Sequence, residues 1–476
     1  MSFFWRFLKK NYIFGKFCVI FIYGGKFMKV AVAGTGYVGL VTGVALAHIG
    51  HNVTCVDVDE EKIKTMRMGK SPIYEDGLEE LMNEDKERLV YTTDYKMAYK
   101  DADVIFIGVG TPERIDGSAN LDYVKTVVRQ IAESVEKDVV VVVKSTVPIG
   151  TNDKVEEYLK NNVKKGIKVY VASNPEFLAQ GTAVRDTLHA SRIVVGTENR
   201  VAERIMKKLY SPLTKKPYKV PYLSMNRRSA EMVKYASNDF LALKISYINE
   251  IANFCERVGA DIEEVTKGMG YDSRIGSKFL KAGIGFGGSC FPKDTKALHW
   301  LSKDLDCELK TVKACIEVNR AQKILMYRKL KEYFDSLENK DIAVLGLTFK
   351  PGTDDLREAP SIDNIELLLD EGANVRAYDP ISVESFKKKI ASKITNDTIN
   401  GKIEYFNSID EAITGVDATL IMTEWPDVVN YDINNYLKLM KEPLVLDGRN
   451  CYNLKEVAKA NIEYVSVGRE KVLRKK

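Results

Sequence analysis

A glycine-rich turn between an apolar run and a helix-like one constrains this chain most. MKVAVAGTGYVG sets Gly34, Gly36 and Gly39 in a GxGxxG pattern directly after a strand-like segment and ahead of LVTGVALAHIG. The next strand-like run, HNVTCVDVD, carries Asp57 near its end. This is the layout of a βαβ unit whose turn receives a dinucleotide. Gly34 permits the tight turn, Gly36 lets backbone amides approach a pyrophosphate, and Gly39 lets the helix pack close to the strand. The helix N-terminus adds positive potential for the anion. Asp57 is expected to accept hydrogen bonds from the adenosine ribose. Asp59 and Glu60 put negative charge where NADP carries its extra phosphate, so NAD is favoured.

Near-continuous apolar runs recur at residues 102–112 (ADVIFIGVGTP), 138–148 (DVVVVVKSTVP) and 168–177 (KVYVASNPEF), as expected of parallel strands covered on both faces. The same plan returns more weakly near the other end. KDIAVLGLTFKPG with GANVRAYDP echoes the first turn, VDATLIMTEWP echoes ADVIFIGVGTP, and EPLVLDGRN ends a strand as VVVVVKSTVP does. The expected fold is therefore α/β, with two Rossmann-like, doubly wound parallel-sheet domains over residues 28–222 and 335–476 facing one another. A helical segment over 223–334 joins them, and ligands should lie between. Residues 1–27 are basic and aromatic. Their apolar run from Phe17 to Tyr23 is short and no cleavage pattern follows it, so they read as a disordered or misassigned extension ahead of Met28.

Composition narrows the function classes. The 476 residues are 45% hydrophobic and 29% charged, and no stretch reaches the length of a membrane span. The net charge of +5 is spread out, without basic runs interleaved with stacking aromatics, so neither a membrane nor a nucleic acid is an expected partner. Seven cysteines are scattered without metal-ligand spacing, which points to no metal and to a reducing, cytoplasmic compartment.

In the middle segment, Ile245, Ile248, Ala252 and Cys255 recur at helical spacing, and Lys234, Asn238 and Leu241 fall on the same stripe. A lysine and an asparagine one turn apart on a face due for burial read as site residues. Further on, GIGFGGSCFPKD (residues 283–294) surrounds one thiol with glycines that leave amides free and the sulfur accessible. Lys293 and Asp294 adjoin Cys290, and a nearby cation would favour its thiolate, so Cys290 is the candidate nucleophile.

Taken in order, GTGYVGL, KSTVPIGT, NPEFLAQGTA, the KYASNDF helix, GFGGSCFPKD and FKPGTDDLRE resemble the UDP-glucose/GDP-mannose dehydrogenase family over nearly everything after Met28. The resemblance implies NAD-dependent oxidation of a nucleotide sugar in which Cys290 attacks a C6 aldehyde. Lys234, Asn238 and Asp294 would surround the reacting oxygen or its water, Asp294 being a candidate to orient Lys234 or to assist water, and Glu176 and Thr146 would hold that water. It also implies that Phe349 and Lys350 contact the nucleotide diphosphate and that Arg274 and Arg449 meet the substrate, one or both from a neighbouring subunit. Phe177, Leu178, Phe279 and Gly287 join them on the substrate side, and Tyr37, Val38, Lys62, Thr111, Thr146, Lys293 and Arg357 on the NAD side. Gln180 departs from the pattern, since many relatives have Glu there, which puts its cofactor contact in doubt.

The sequence around the cysteine looks like the branch acting on UDP-glucose, a reaction of polysaccharide biosynthesis. UDP-N-acetylhexosamine or GDP-mannose are the alternatives within the superfamily. Outside it stand a two-electron hydroxyacid dehydrogenase, which would have no use for Cys290, and a nucleotide-sugar sensor without turnover. The central helix and the arginines reaching across predict a homodimer or larger assembly.

Overall fold

The computed structural model describes residues 27–393 and 401–475, so the expectation for residues 1–27 falls, Phe27 apart, outside it. The first sheet holds β1 (Lys29–Ala33), β2 (Asn52–Val56), β3 (Leu89–Thr92), β4 (Val104–Ile107), β5 (Val139–Val143), β6 (Val169–Ser173), β7 (Ile193–Gly196) and β8 (Tyr222–Met225). Their order is β3-β2-β1-β4-β5-β6-β7-β8. The first six strands are parallel. β6 and β7 meet antiparallel at Ser173 and Gly196, so β7 and β8 extend the sheet as a small ribbon of opposite sense. The sequence boundary at 222 falls on the first residue of β8, and this unit runs on to Met225.

The five valines of β5 show why the strands read as unbroken apolar runs. Val140 and Val142 join the core that includes Leu40 and Val44 of the helix Tyr37–His48, while Val139, Val141 and Val143 join Val127, Val128 and Ile131 of the helix Asp122–Ser134. Alternate side chains thus meet helices on opposite faces, and each such valine contributes about 1.5 kcal/mol or more by burial.

The second sheet holds β9 (Asp341–Leu345), β10 (Asn374–Tyr378), β11 (Lys402–Phe406), β12 (Ala418–Ile421), β13 (Leu444–Asp447) and β14 (Glu463–Val465), all parallel. Its order, β11-β10-β9-β12-β13-β14, repeats that of the first six strands. The repeat is structural but not functional in detail. Asp379, just past β10, stands where Asp57 stands past β2. It is 4% exposed and accepts from Leu347 N (2.8 Å), Trp425 Nε1 (3.0 Å) and Ser382 N (2.9 Å), which leaves it little capacity for a ribose.

Between the sheets runs the central helix, Arg227–Val258. Asn226 caps it by accepting from Ser229 N, and Gly259 ends it in the left-handed conformation at φ 74°. Lys234, Asn238, Ala242, Ser246 and Asn249 form its buried stripe, whereas Phe240, Tyr247 and Phe254, seven residues apart, are 50–62% exposed. Among the described residues no helix is long and apolar enough to cross a membrane, no cluster could hold a metal ion, and all six cysteines are free.

Candidate active site

The turn after β1 is shaped for a dinucleotide. A Cβ on Gly39 would lie 1.9 Å from the Gly34 carbonyl oxygen, so only glycine lets the helix start that close, and Gly34 itself has φ +91°. Nothing lies within 4 Å of a Cβ built on Gly36, which leaves its face of the turn open. Thr35 donates to Asp57 Oδ2 from its amide (2.8 Å) and hydroxyl (2.6 Å), and Asp59 N donates to Oδ1 (3.1 Å). Burial opposes ionisation of Asp57, yet these bonds hold its carboxyl below the usual range. An open amide cradle beside an ionised aspartate fits the pyrophosphate and ribose of NAD.

Several other residues expected on this side are held by contacts of their own. Val38 O accepts from Thr42 Oγ1 (2.6 Å), and Lys62 Nζ lies 3.9 Å from Asp59. Thr111 Oγ1 donates to Thr146 O (2.8 Å), tying the ends of β4 and β5 together. Tyr37 donates to Tyr74 O (3.1 Å) and to Asp354 Oδ1 (3.3 Å) of the opposite domain, and burial pushes its phenol up to about 12.

Past the carboxyl ends of the strands lies the thiol. Cys290 caps the helix Phe291–Asp304 and is half-buried, with Ser289 Oγ 3.7 Å from its sulfur. The central helix brings Lys234 and Asn238 to it, the loop after β6 brings Glu176, and Asp294 sits one turn along. Lys234 Nζ donates to Glu176 Oε1 at 2.8 Å, with both side chains at most 6% exposed, and Asn238 Nδ2 donates to Asp294 Oδ2 at 2.6 Å. Glu176 Oε2 also accepts from Leu178 N (2.7 Å).

Two sequence expectations change here. Lys293 does not serve as the cation of the thiol: its amine pairs with Asp294, and Lys234 is the cation that favours the thiolate. Burial and the charges of Glu176 and Asp294 outweigh it, so the Cys290 thiol stands above its ordinary value. Nor does Asp294 orient Lys234, which Glu176 holds instead. Burial pulls the Lys234 amine down, but Glu176, Cys290 and Asp294 raise it above the ordinary lysine value, so it is a cation.

The glycine loop before the thiol is held by buried amides. Asn319 accepts from Phe286 N (2.8 Å) and donates to Phe286 O (3.0 Å), Asn249 accepts from Gly283 N (2.9 Å), and Gln322 donates to Gly283 O (2.7 Å). Against it lies the loop after β9. A Cβ on Gly287 would meet Glu358 O at 2.3 Å and Phe349 Cβ at 2.8 Å. Lys350 Nζ donates to Gln180 O across the cleft at 2.6 Å, so Gln180 meets the opposite domain through its carbonyl while its own Oε1 has no hydrogen-bond partner. Arg449, past β13, donates to Met422 O (2.9 Å), Phe349 O (3.0 Å) and Gly285 O (3.3 Å). Arg357 pairs with Asp355 at 2.7 Å and remains half-exposed toward Tyr37 and Cys290.

A cavity of about 480 Å³ opens beside Glu176, Phe177, Leu178 and Phe279. Phe279 is a non-glycine residue at φ 63°, a conformation that costs strain and is kept where a side chain must be aimed. Arg274 is not brought in. Its side chain is 87% exposed and pairs with Asp272 at 2.6 Å.

Two buried groups escaped the sequence reading. Lys144, immediately past β5, donates to Asn174 Oδ1 (3.1 Å) and lines the cavity; burial pulls its amine down to about 8. Its place at a strand's carboxyl end was the available signal. Asp239 is buried beside Asn238, and no periodicity separates it from the helix's solvated acids.

A dinucleotide cradle facing a second nucleotide-type domain, with a thiol, an ammonium and two carboxylates between them, defines an NAD-dependent dehydrogenase that works through a cysteine. Family models of the UDP-glucose/GDP-mannose dehydrogenases match the chain throughout: the NAD binding domain at residues 28–214, the central domain at 228–321 and the UDP binding domain at 343–454. The chain belongs to this family. It is 48% identical over 448 residues to the UDP-glucose 6-dehydrogenase YwqF of Bacillus subtilis, covering 94% of this chain and 99% of that one. Among solved structures, the UDP-glucose dehydrogenase of Pyrobaculum islandicum superposes with a TM-score of 0.84 at 36% identity, over 94% of this chain and 99% of that one. The UDP-D-ManNAc dehydrogenase of Pyrococcus horikoshii follows at 0.81 and 26%, over 93% and 99%.

Proposed function

We propose that the chain is a cytoplasmic UDP-glucose 6-dehydrogenase that oxidises C6 of the glucose to a carboxylate, using two NAD and one water. The observation that carries this reading is the enclosure of Cys290 by the Lys234–Glu176 and Asn238–Asp294 pairs at the mouth shared by the two domains. NAD, when bound at the Gly34–Gly39 turn, supplies the acceptor for two successive hydrides. The remaining work falls to the chain. As the C6 hydroxyl loses its proton to a carboxylate of the site, Lys234 stabilises the developing alkoxide, an effect of about 3–4 kcal/mol for one well-placed donor. A bare aldehyde lacks the carbinol hydrogen that a second oxidation needs. Cys290 Sγ therefore adds to the aldehyde carbon, and the thiol proton passes to the new hydroxyl. Loss of that hydroxyl proton and of the C6 hydride leaves a thioester. Water, positioned by Glu176, Thr146 and Asp294, adds to its carbon, the C–S bond breaks, and Cys290 recovers its proton as the acid departs.

Phe349, Lys350 and Arg449 would hold the nucleotide diphosphate, and Phe177, Leu178, Phe279 and Gly287 the sugar end. The exposed stripe of Phe240, Tyr247 and Phe254 supports a homodimer through the central helix, in which Arg274 would reach the partner's site. The test is a count of NADH per nucleotide sugar, with UDP-glucose, UDP-N-acetylglucosamine and GDP-mannose compared side by side. Two NADH per UDP-glucose, with the others slow, is the expected result. One NADH with free aldehyde, or preference for another sugar, contradicts the reading.

A further inference from the structure

Among the buried carboxyls that the mechanism leaves unused, one has no partner. Asp239 is 7% exposed, and neither of its oxygens has a hydrogen-bond partner among the described residues. Tyr235, one turn earlier on the same stripe, is 1% exposed, and its hydroxyl is unpartnered as well. An unsatisfied buried carboxylate is costly, so its presence calls for a role or a proton.

Its surroundings are apolar on both sides. Tyr235 packs with Ala297, Leu298 and Val312, while Ala242, three residues beyond Asp239, packs with Phe286 and Cys315. The ionisable groups facing this region are Glu231 and Tyr235 from the central helix, Asp294 from the cysteine helix, and Cys315 from the helix Lys310–Lys323. None of these is a cation; Lys293 and Lys234 reach the region only through Asp294.

We propose that Asp239 is a positioning residue for the Cys290 chemistry: a buried, unpartnered carboxyl adjoining Asn238, whose amide holds Asp294 one turn from Cys290, it acts through Asp294 to set how readily the thiol ionises. Burial and the charge of Asp294 push Asp239 up to about 7, so the proton is held below neutrality and lost just above it. Once it is lost, a second negative charge acts with Asp294, which already opposes the thiolate, and the thiolate becomes harder to form. The significance of this tuning rests on Cys290 being the nucleophile proposed above. Its test does not, because it reads thiol ionisation without turnover.

The experiment follows alkylation of Cys290 by iodoacetamide against pH in the full chain, with the Cys290 peptide quantified by mass spectrometry. Asp239→Asn imitates the protonated carboxyl at every pH, and Asp239→Ala removes the group altogether. Both are expected to move the Cys290 inflection to lower pH and to speed alkylation at pH 8 about threefold or more. Both should also melt no lower than the native chain at pH 8, since the ionised carboxyl is a cost there. An unmoved inflection in a folded variant overturns the proposal. So does a loss of folding of Asp239→Asn at pH 8, which would make the ionised carboxyl structural. If sugar oxidation fails while the inflection still moves, it is the proposed function that falls.

Discussion

Lys234 and Glu176 form a buried ion pair, 2.8 Å from Nζ to Oε1, within the electrostatic reach of the Cys290 sulfur. The pair joins the central helix to the loop after β6, so the amine proposed to meet the substrate oxygen is set by a carboxylate of the NAD domain. Burial alone would make this lysine give up its proton early, and Glu176 is the largest charge acting against it. The folded amine therefore remains charged to a higher pH than burial would allow.

From that pair follows a shift in pH dependence. In Glu176→Gln the chief charge raising Lys234 is gone while burial remains, so the alkaline limb of kcat should move to lower pH by about one unit or more. A kcat profile from pH 7 to 11 on native and variant enzyme reads this directly. A limb that does not move would mean that Lys234 is not the ammonium on which the reaction depends.

The packing of the two loops makes a second prediction. Gly287→Ala places a methyl 2.3 Å from Glu358 O, against backbone that cannot rotate away. The loops must part, at a cost of about 1–3 kcal/mol. KM for the sugar nucleotide should rise about tenfold or more, while NAD affinity, measured by fluorescence quenching, stays within about twofold. Equal loss of both would place this loop contact on the cofactor side instead.

Assembly is tested on the exposed stripe. Phe240→Glu with Tyr247→Glu puts two charges on the face proposed to cover itself with a second copy, and buried unpaired charges are strongly disfavoured. Light scattering should show the native chain as a dimer or larger and the variant as a smaller species with unchanged circular dichroism. Activity should fall with it, because Arg274 then has no neighbouring site to reach. A native monomer refutes this arrangement.

How much of this was legible beforehand depends on the range of the interactions. The GxGxxG turn, Asp57 and the five valines of β5 are local patterns with local causes, and the second sheet repeats the strand order that its echoing segments implied. Lys234 and Asn238 were readable because helical spacing puts polar groups on a stripe otherwise destined for burial. Their partners were not: whether Asp294 meets Lys234 or Asn238 depends on how two helices cross, and a sequence neighbour such as Lys293 misleads because its amine turns to Asp294 rather than to the thiol. Asp239 is a further example. It is buried where the central helix packs against other helices, among them Lys310–Lys323, whose Cys315 feels its charge, and no local pattern announces that packing.

The central claim is a covalent bond between Cys290 and C6 of the substrate. Asp294→Asn, which removes a carboxylate expected to assist the attacking water, should slow hydrolysis enough for the acyl-enzyme to accumulate. Acid quenching during turnover of UDP-glucose, followed by peptide mass spectrometry, should find the UDP-glucuronyl mass on the Cys290 peptide and on no other, and Cys290→Ala should show neither adduct nor acid product. Acid formed at an undiminished rate by Cys290→Ala would contradict the account at its root.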